Sequence, residues 1–180
     1  MTTDSSSSTG VPSDFPSTLS LLFSRPSSSI PLLPRQPFDG SLTSLIHKEA
    51  TSASWSPALE ASVHLLNDDL DSAHDIVTDL EHVPICALPH GVLHRRQGEW
   101  WNSQYWASQF PSAGRNAWVK ETYGERGAKG FFDDVKKVAN GSKGGSSACG
   151  AKNALDGVKE QQEKELKGLV VWMWEQDGRK

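Results

Sequence analysis

From residue 41 onward apolar residues recur at helical spacing, and the polar residues between them fall where caps and turns belong. Leu42, Leu45 and Ile46 predict a first helix over 41–50, with Ser41 able to cap it. Ser56-Pro57 is a start signal with a mechanism, because a proline in the first helical position has no N–H to leave unsatisfied. The helix from Pro57 carries Leu59, Val63 and Leu66 on one stripe. Asn67-Asp68-Asp69 predicts a turn, and Asp69 can cap the next helix, whose stripe is Leu70, Ala73, Val77 and Leu80. A third pattern starts at either Pro84 or Pro89. From Pro84, the ring of Pro89 meets the carbonyl of Ile85 and kinks the helix. From Pro89 the helix is short, and Gly91 weakens it by roughly 1 kcal/mol. Gln97-Gly98 ends it. Glu99 to Phe110 reads as an aromatic-rich helix with Trp100, Trp101, Tyr105 and Trp106, stopped by Pro111.

Arg115 to Asn140 reads as two helical pieces interrupted around Gly124, Gly127 and Gly130, the second with Phe131, Phe132, Val135 and Val138 on one side. A last helix over about 152–176 places Leu155, Val158, Leu166, Leu169 and Met173 on a stripe opposite a charged face. The prediction is an all-α fold of stacked helical hairpins. Its divisions are a disordered Ser/Pro-rich tail at 1–38, a helical domain at 39–139, a flexible Gly/Ser linker at 140–151 and an amphipathic helix at 152–180. The tail holds two apolar islands, Leu19 to Phe23 and Ile30 to Leu33. Its composition favours disorder, with an arm docked on the core as the alternative. The final helix either returns to the core with Trp172 and Trp174 or binds a partner.

Composition narrows the function classes. The net charge of -4 and pI near 5.8 argue against nucleic acid as a partner, which calls for a basic domain. No apolar run is long enough for a membrane span, and no secretory signal is legible at the N-terminus. Two cysteines, Cys86 and Cys149, make no disulfide framework. A soluble, cytoplasmic protein is the expectation.

A shift of about thirty residues, in the range of helical repeats, superimposes Glu60 on His90, His64 on His94, Asn67-Asp68-Asp69 on Gln97-Gly98-Glu99, Ala73 on Ser103 and Leu80 on Phe110. Each copy reads helix, polar turn, helix, with a small residue where helices can approach. Residues 55–111 resemble a degenerate tetratricopeptide-type pair of hairpins. Their period is shorter than that family's, Asp68 stands where the turn glycine belongs, and a serine holds the second small position. The resemblance implies side-by-side first helices and a groove. More locally, His90-x-x-x-His94-Arg95-Arg96-Gln97-Gly98-Glu99 with Asn102 and Tyr105-Trp106 is similar to a motif of small uncharacterised bacterial and fungal helical proteins, which brings no activity with it.

All six histidines lie between residues 47 and 94. His90 and His94, four apart, point the same way on a helix and suit a transition metal. The repeat adds Glu60 and His64 to that groove, giving a carboxylate and three imidazoles that suit Zn, Mn or Fe. Asp68, Asp69, Asp71 and Asp75 cluster at the first turn, as ion-pair partners for Arg95 and Arg96 or as carboxylates that orient His74. Arg95 or Arg96 can clamp a carboxylate or phosphate, with adjacent positions about 100° apart on the helix. Trp100 and Trp101 cannot both face one core, so one is partly exposed or covered by another segment. Two functions follow. The first is a binding or scaffold module whose groove, lined by Arg95, Arg96, Trp101 and Asp71, takes a peptide or an acidic small molecule. The second is a metal-dependent enzyme with Glu60, His64, His90 and His94 around the ion, and Asp71 as general base.

Overall fold

The computed structural model describes residues 10–110, 117–141 and 148–179. Pro111, the start of the predicted helix at Arg115 and the linker residues 142–147 lie outside the described residues, as do 1–9 and 180. Among the described residues the fold is all-α, with eight α-helices and no strand. They are α1 (Ser41–Ser52), α2 (Pro57–Leu66), α3 (Leu70–Thr78), α4 (Ala87–Gln97), α5 (Trp100–Gln109), α6 (Ala117–Tyr123), α7 (Gly127–Ala139) and α8 (Ala148–Gln176). No helix among the described residues is long and apolar enough to cross a membrane.

The caps follow the sequence in most places. Ser56 Oγ accepts from the Leu59 N–H at 3.3 Å, with Pro57 in the first turn of α2. Asp69 accepts from the Ser72 N–H at 3.2 Å and starts α3. At α1 the group that takes the Ser41 N–H is the Asp39 carboxylate, at 2.9 Å, rather than Ser41 itself. The two possible starts of the third helix resolve into a short 3-10 turn over Pro84–Cys86, followed by α4 from Ala87. Pro89 thereby falls in the first turn of α4, where its missing N–H costs nothing.

α2 and α3 pack as one hairpin and α4 and α5 as a second, with α3 against α4 between them. The turns close with the same hydrogen bonds. Asp69 N–H reaches His64 O at 2.9 Å and Asp68 N–H reaches Leu65 O at 3.1 Å; Glu99 N–H reaches His94 O at 2.8 Å and Gly98 N–H reaches Arg95 O at 3.1 Å. This pairing is a Schellman closure and needs a left-handed residue. Gly98 supplies it at φ +81° and Asp68 at φ +60°. A side chain in that region costs roughly 1–2 kcal/mol, and Asp68 is held there by two arginines. Its Oδ2 lies 2.6 Å from Arg25 Nη2 and its Oδ1 lies 2.6 Å from Arg96 Nη2. Where α4 crosses α5, Gly91 allows a close approach: a Cβ there would sit 3.2 Å from Ala107 N and 3.4 Å from Ser103 O, a tight fit that the neighbouring backbone would have to yield to. The residue that weakens an isolated helix is what lets this one approach its neighbour.

One expectation from composition changes. Residues 10–38 do not form a free tail. They pack as an arm, with 3-10 turns at Ser17–Ser24 and Ser27–Ser29 and with Phe15, Leu19, Leu22, Phe23, Ile30 and Leu32 buried. Each such side chain contributes about 1.5–3 kcal/mol on burial, which offsets the ordering cost that a Ser/Pro-rich composition otherwise leaves unmet. Arg25 Nη1 fixes the arm to Leu66 O at 2.7 Å, and Asp14 accepts from Trp174 Nε1 at 3.0 Å. At α8 the first of the two alternatives holds. Its last third returns to the core through Leu166, Leu169, Val170, Trp172, Met173 and Trp174 and packs on α2, α6 and α7.

Candidate metal centre

α4 is enclosed on every side: each residue from Ala87 to Arg96 is buried. A helix with no solvent face must bury its polar side chains too, and His90, His94, Arg95 and Arg96 are all among them. They separate into two groups.

His90 and His94 turn toward α3 and meet His74. One ligand atom from each of the three imidazoles lies within 4.8 Å of the others. The His90 and His94 rings lie 4.8 Å apart at 23°, and His74 stands edge-on to them at 6.0 and 5.5 Å. Nitrogens around a tetrahedral ion with bonds of about 2.0–2.1 Å stand roughly 3.4 Å apart, so the three would draw closer to share one ion. His90 and His94 are buried and His74 is half-buried, which leaves the α3 side as the way in.

The surroundings select the metal-binding form. His94 Nδ1 lies 3.0 Å from both Gln97 Oε1 and Glu99 Oε2. Facing two acceptors, Nδ1 carries the proton and Nε2 keeps its lone pair. A carboxylate behind a histidine in this manner fixes the tautomer and raises ligand basicity. Glu99 is steadied in turn by Asn102 Nδ2, 2.7 Å from the same oxygen. Trp106 stacks on His90 with centroids 4.0 Å apart and planes at 13°. His90 Nδ1 is buried without a hydrogen-bond partner. Burial, then the neighbouring His94 and His74, lower the His90 pKa to about 3. Burial also lowers that of His94, against the pull of Glu99. Both are therefore neutral at pH 7, the form that binds metal.

Glu60 and His64, expected in this groove, lie elsewhere. Glu60 Oε1 pairs with His47 Nδ1 at 2.9 Å. His64 Nδ1 donates to Asp69 Oδ2 at 3.0 Å, and Thr43 Oγ1 donates to the same oxygen at 2.6 Å. Residues 43 and 47 belong to α1, so the polar side of α2 is met by α1 and not by α4. Their place is taken by His74, from the second helix of the first hairpin. Stacking brings that helix, not the first one, beside the histidine-bearing face of α4. The sequence signal was present in the confinement of all six histidines to residues 47–94.

Arg95 and Arg96 line no groove. Both are fully buried. Arg95 pairs with Glu165, donates to Gln162 Oε1 at 2.8 Å and faces the rings of Phe131 and Phe132. Arg96 pairs with Asp68 and donates to Leu65 O at 2.6 Å and Pro31 O at 3.1 Å. Asp71 is exposed on α3, one turn before His74. Trp101 is 78% exposed and stacks on Tyr105. A separate cleft of about 1000 Å³ lies between α6, α7 and the first half of α8. Tyr123, Phe131, Val138 and Val158 line it, and none of the histidines reaches it.

The fold and the cluster together define an all-α protein with three converging imidazoles in its core. No protein-family model matches the chain, and comparison with curated proteins and with solved structures finds no match.

Proposed function

We propose that the protein is a metal-dependent enzyme in which His74, His90 and His94 hold a first-row divalent ion of the Zn, Mn or Fe class. Three neutral nitrogen ligands from two helices leave a coordination position open, the arrangement of catalytic rather than structural sites. An ion so held polarises a carbonyl or lowers the pKa of a bound water. Substrate enters from the α3 side, where His74 is half-buried and Asp71 is exposed and able to relay a proton. The observation that carries this reading is the approach of one ligand atom from each of three imidazoles to within 4.8 Å, on a set of rings where His90 Nδ1 is buried without a partner. A buried polar atom in that state asks for a ligand. The alternative of an acidic-ligand groove loses its cations, because Arg95 and Arg96 are spent on buried carboxylates.

Elemental analysis of the purified protein, followed by titration with Zn, Mn and Fe, is the test. Near-stoichiometric uptake is expected, abolished by His74→Ala, His90→Ala or His94→Ala. A folded protein that takes up none of the three ions at neutral pH ends the proposal. An ion at about a hundredfold its Kd raises stability by about 2.7 kcal/mol, so a thermal shift confined to the unsubstituted chain is the second readout.

A further inference from the structure

α5 places its aromatic side chains in an unbroken line from the surface to the histidine cluster. Trp101 and Tyr105, four apart on the outer face, stack with centroids 5.9 Å apart and planes at 8°. Tyr105 meets Trp106 edge-on at 5.2 Å. Trp106 stacks on His90 at 4.0 Å, and His90 stacks on His94 at 4.8 Å. Packing explains the inner end of this line, since Trp106 is buried. It does not explain the outer end, because Trp101 is 78% exposed and Tyr105 is 45% exposed. Trp101 in particular contributes little apolar burial to the fold.

We infer that Trp101, Tyr105 and Trp106 form a one-electron path between the protein surface and a redox-active ion held by His74, His90 and His94. Indole and phenol are the side chains most readily oxidised by one electron, apart from thiols. Ring contact matters because tunnelling decays exponentially with the gap between carriers. Each step here joins neighbouring rings, with centroids 5.9, 5.2 and 4.0 Å apart, and the last carrier lies flat on a ligand imidazole. Tyr105 is exposed enough for the proton its phenol sheds on oxidation to reach water. The inference rests on the metal reading above and narrows it, since zinc has no use for such a path.

Copper is a suitable probe, since Cu(II) is the divalent first-row ion that nitrogen sites bind most tightly and copper has two accessible oxidation states. The full-length protein is loaded with Cu(II), uptake is checked against His90→Ala, and the bound ion is reduced anaerobically to Cu(I) with ascorbate, whose excess is removed. A pulse of azide radical then oxidises the most exposed indole, Trp101, giving azide, a proton and the neutral indolyl radical. That radical recovers an electron and a proton as Cu(I) becomes Cu(II). Loss of radical absorbance should match the growth of the Cu(II) signal, and should be much faster than in metal-free protein. Tyr105→Leu, at an exposed position, should leave copper uptake intact and remove the fast phase. Trp101→Phe should reduce the yield of the first radical.

Copper bound through the three histidines, with an indolyl radical that lives as long as in metal-free protein, overturns the path and leaves the metal site standing. A fast phase unchanged in Tyr105→Leu also overturns it. Absence of copper uptake overturns both.

Discussion

α4 carries two buried polar groups side by side, and they are built on opposite terms. At Arg95 and Arg96 every terminal guanidinium nitrogen has a partner, and only the Nε atoms lack one. The carboxylates opposite are equally engaged. Asp68 is shared by Arg25 and Arg96, and Glu165 Oε1 accepts from Tyr123 Oη at 2.9 Å. At the histidine cluster contact is between rings: His90 stacks on His94 and on Trp106 and its buried Nδ1 has no partner, while His94 Nδ1 meets Gln97 and Glu99. Satisfied charge in a core locks one arrangement in place. The three imidazoles, one with an unpartnered buried nitrogen, are the groups the proposed ion would use. On the proposed function, the contrast separates ion pairs that fix the fold from imidazoles that would hold an ion, within a single helix.

The largest effect expected from this contrast lies on the satisfied side. Arg96→Ala strands Asp68 beside Arg25 alone, in a left-handed turn that the pair of arginines holds. Breaking a buried ion pair from one side costs about 3–5 kcal/mol. Urea unfolding should show that loss, and a change within experimental error would mean that the arginine spine is incidental. Metal uptake by whatever remains folded should be unaffected, since Arg96 touches none of the histidines.

How much of this was legible beforehand divides along the same line. Local rules placed the helices, the Ser56 and Asp69 caps, both turns and the pairing of His90 with His94, because each depends on residues within a few positions of one another. They could not show that α4 is covered on all sides. A guanidinium read as a ligand clamp presumes a solvent face, and α8, some 70 residues further on, removes it by bringing Glu165 to Arg95. The arm at 10–38 escaped for a related reason: its apolar islands are too sparse to fold alone and acquire meaning only against a surface formed elsewhere. His74 was missed because superimposing the two hairpins aligns first helix with first helix, whereas stacking juxtaposes α3 with α4.

The next effect concerns the histidine side without metal. The folded protein keeps His90 neutral down to about pH 3, whereas an unfolded chain protonates a histidine near pH 6.5. Between those values the unfolded state binds more protons, so stability falls as pH falls. The loss starts near pH 6.5 and amounts to about 2 kcal/mol by pH 5, at about 1.4 kcal/mol per unit. His64, also held below its ordinary value by burial, acts in the same direction. Urea midpoints of chelator-treated protein should drop across this window, and His90→Leu should flatten the slope. An equally steep slope in His90→Leu would place the titrating group elsewhere.

The smallest effect is the most selective. Glu99 touches no metal ligand atom in the cluster. It holds the Nδ1–H of His94 from behind, sharing that proton with Gln97, and is itself half-exposed. Its carboxylate should therefore act through the basicity and orientation of one imidazole and hardly at all through folding. Losing a hydrogen-bond partner of this kind lowers metal affinity by about 10–100-fold. Because Gln97 still orients the ring, Glu99→Gln should fall at the weak end of that range and Glu99→Ala further along it. Both should unfold at nearly the same urea concentration as the parent when metal-free. Competition with a chromophoric chelator at neutral pH measures the affinities. Equal affinities in the parent and both variants would mean that His94 is oriented by packing alone, and the carboxylate would then belong with the surface and not with the site.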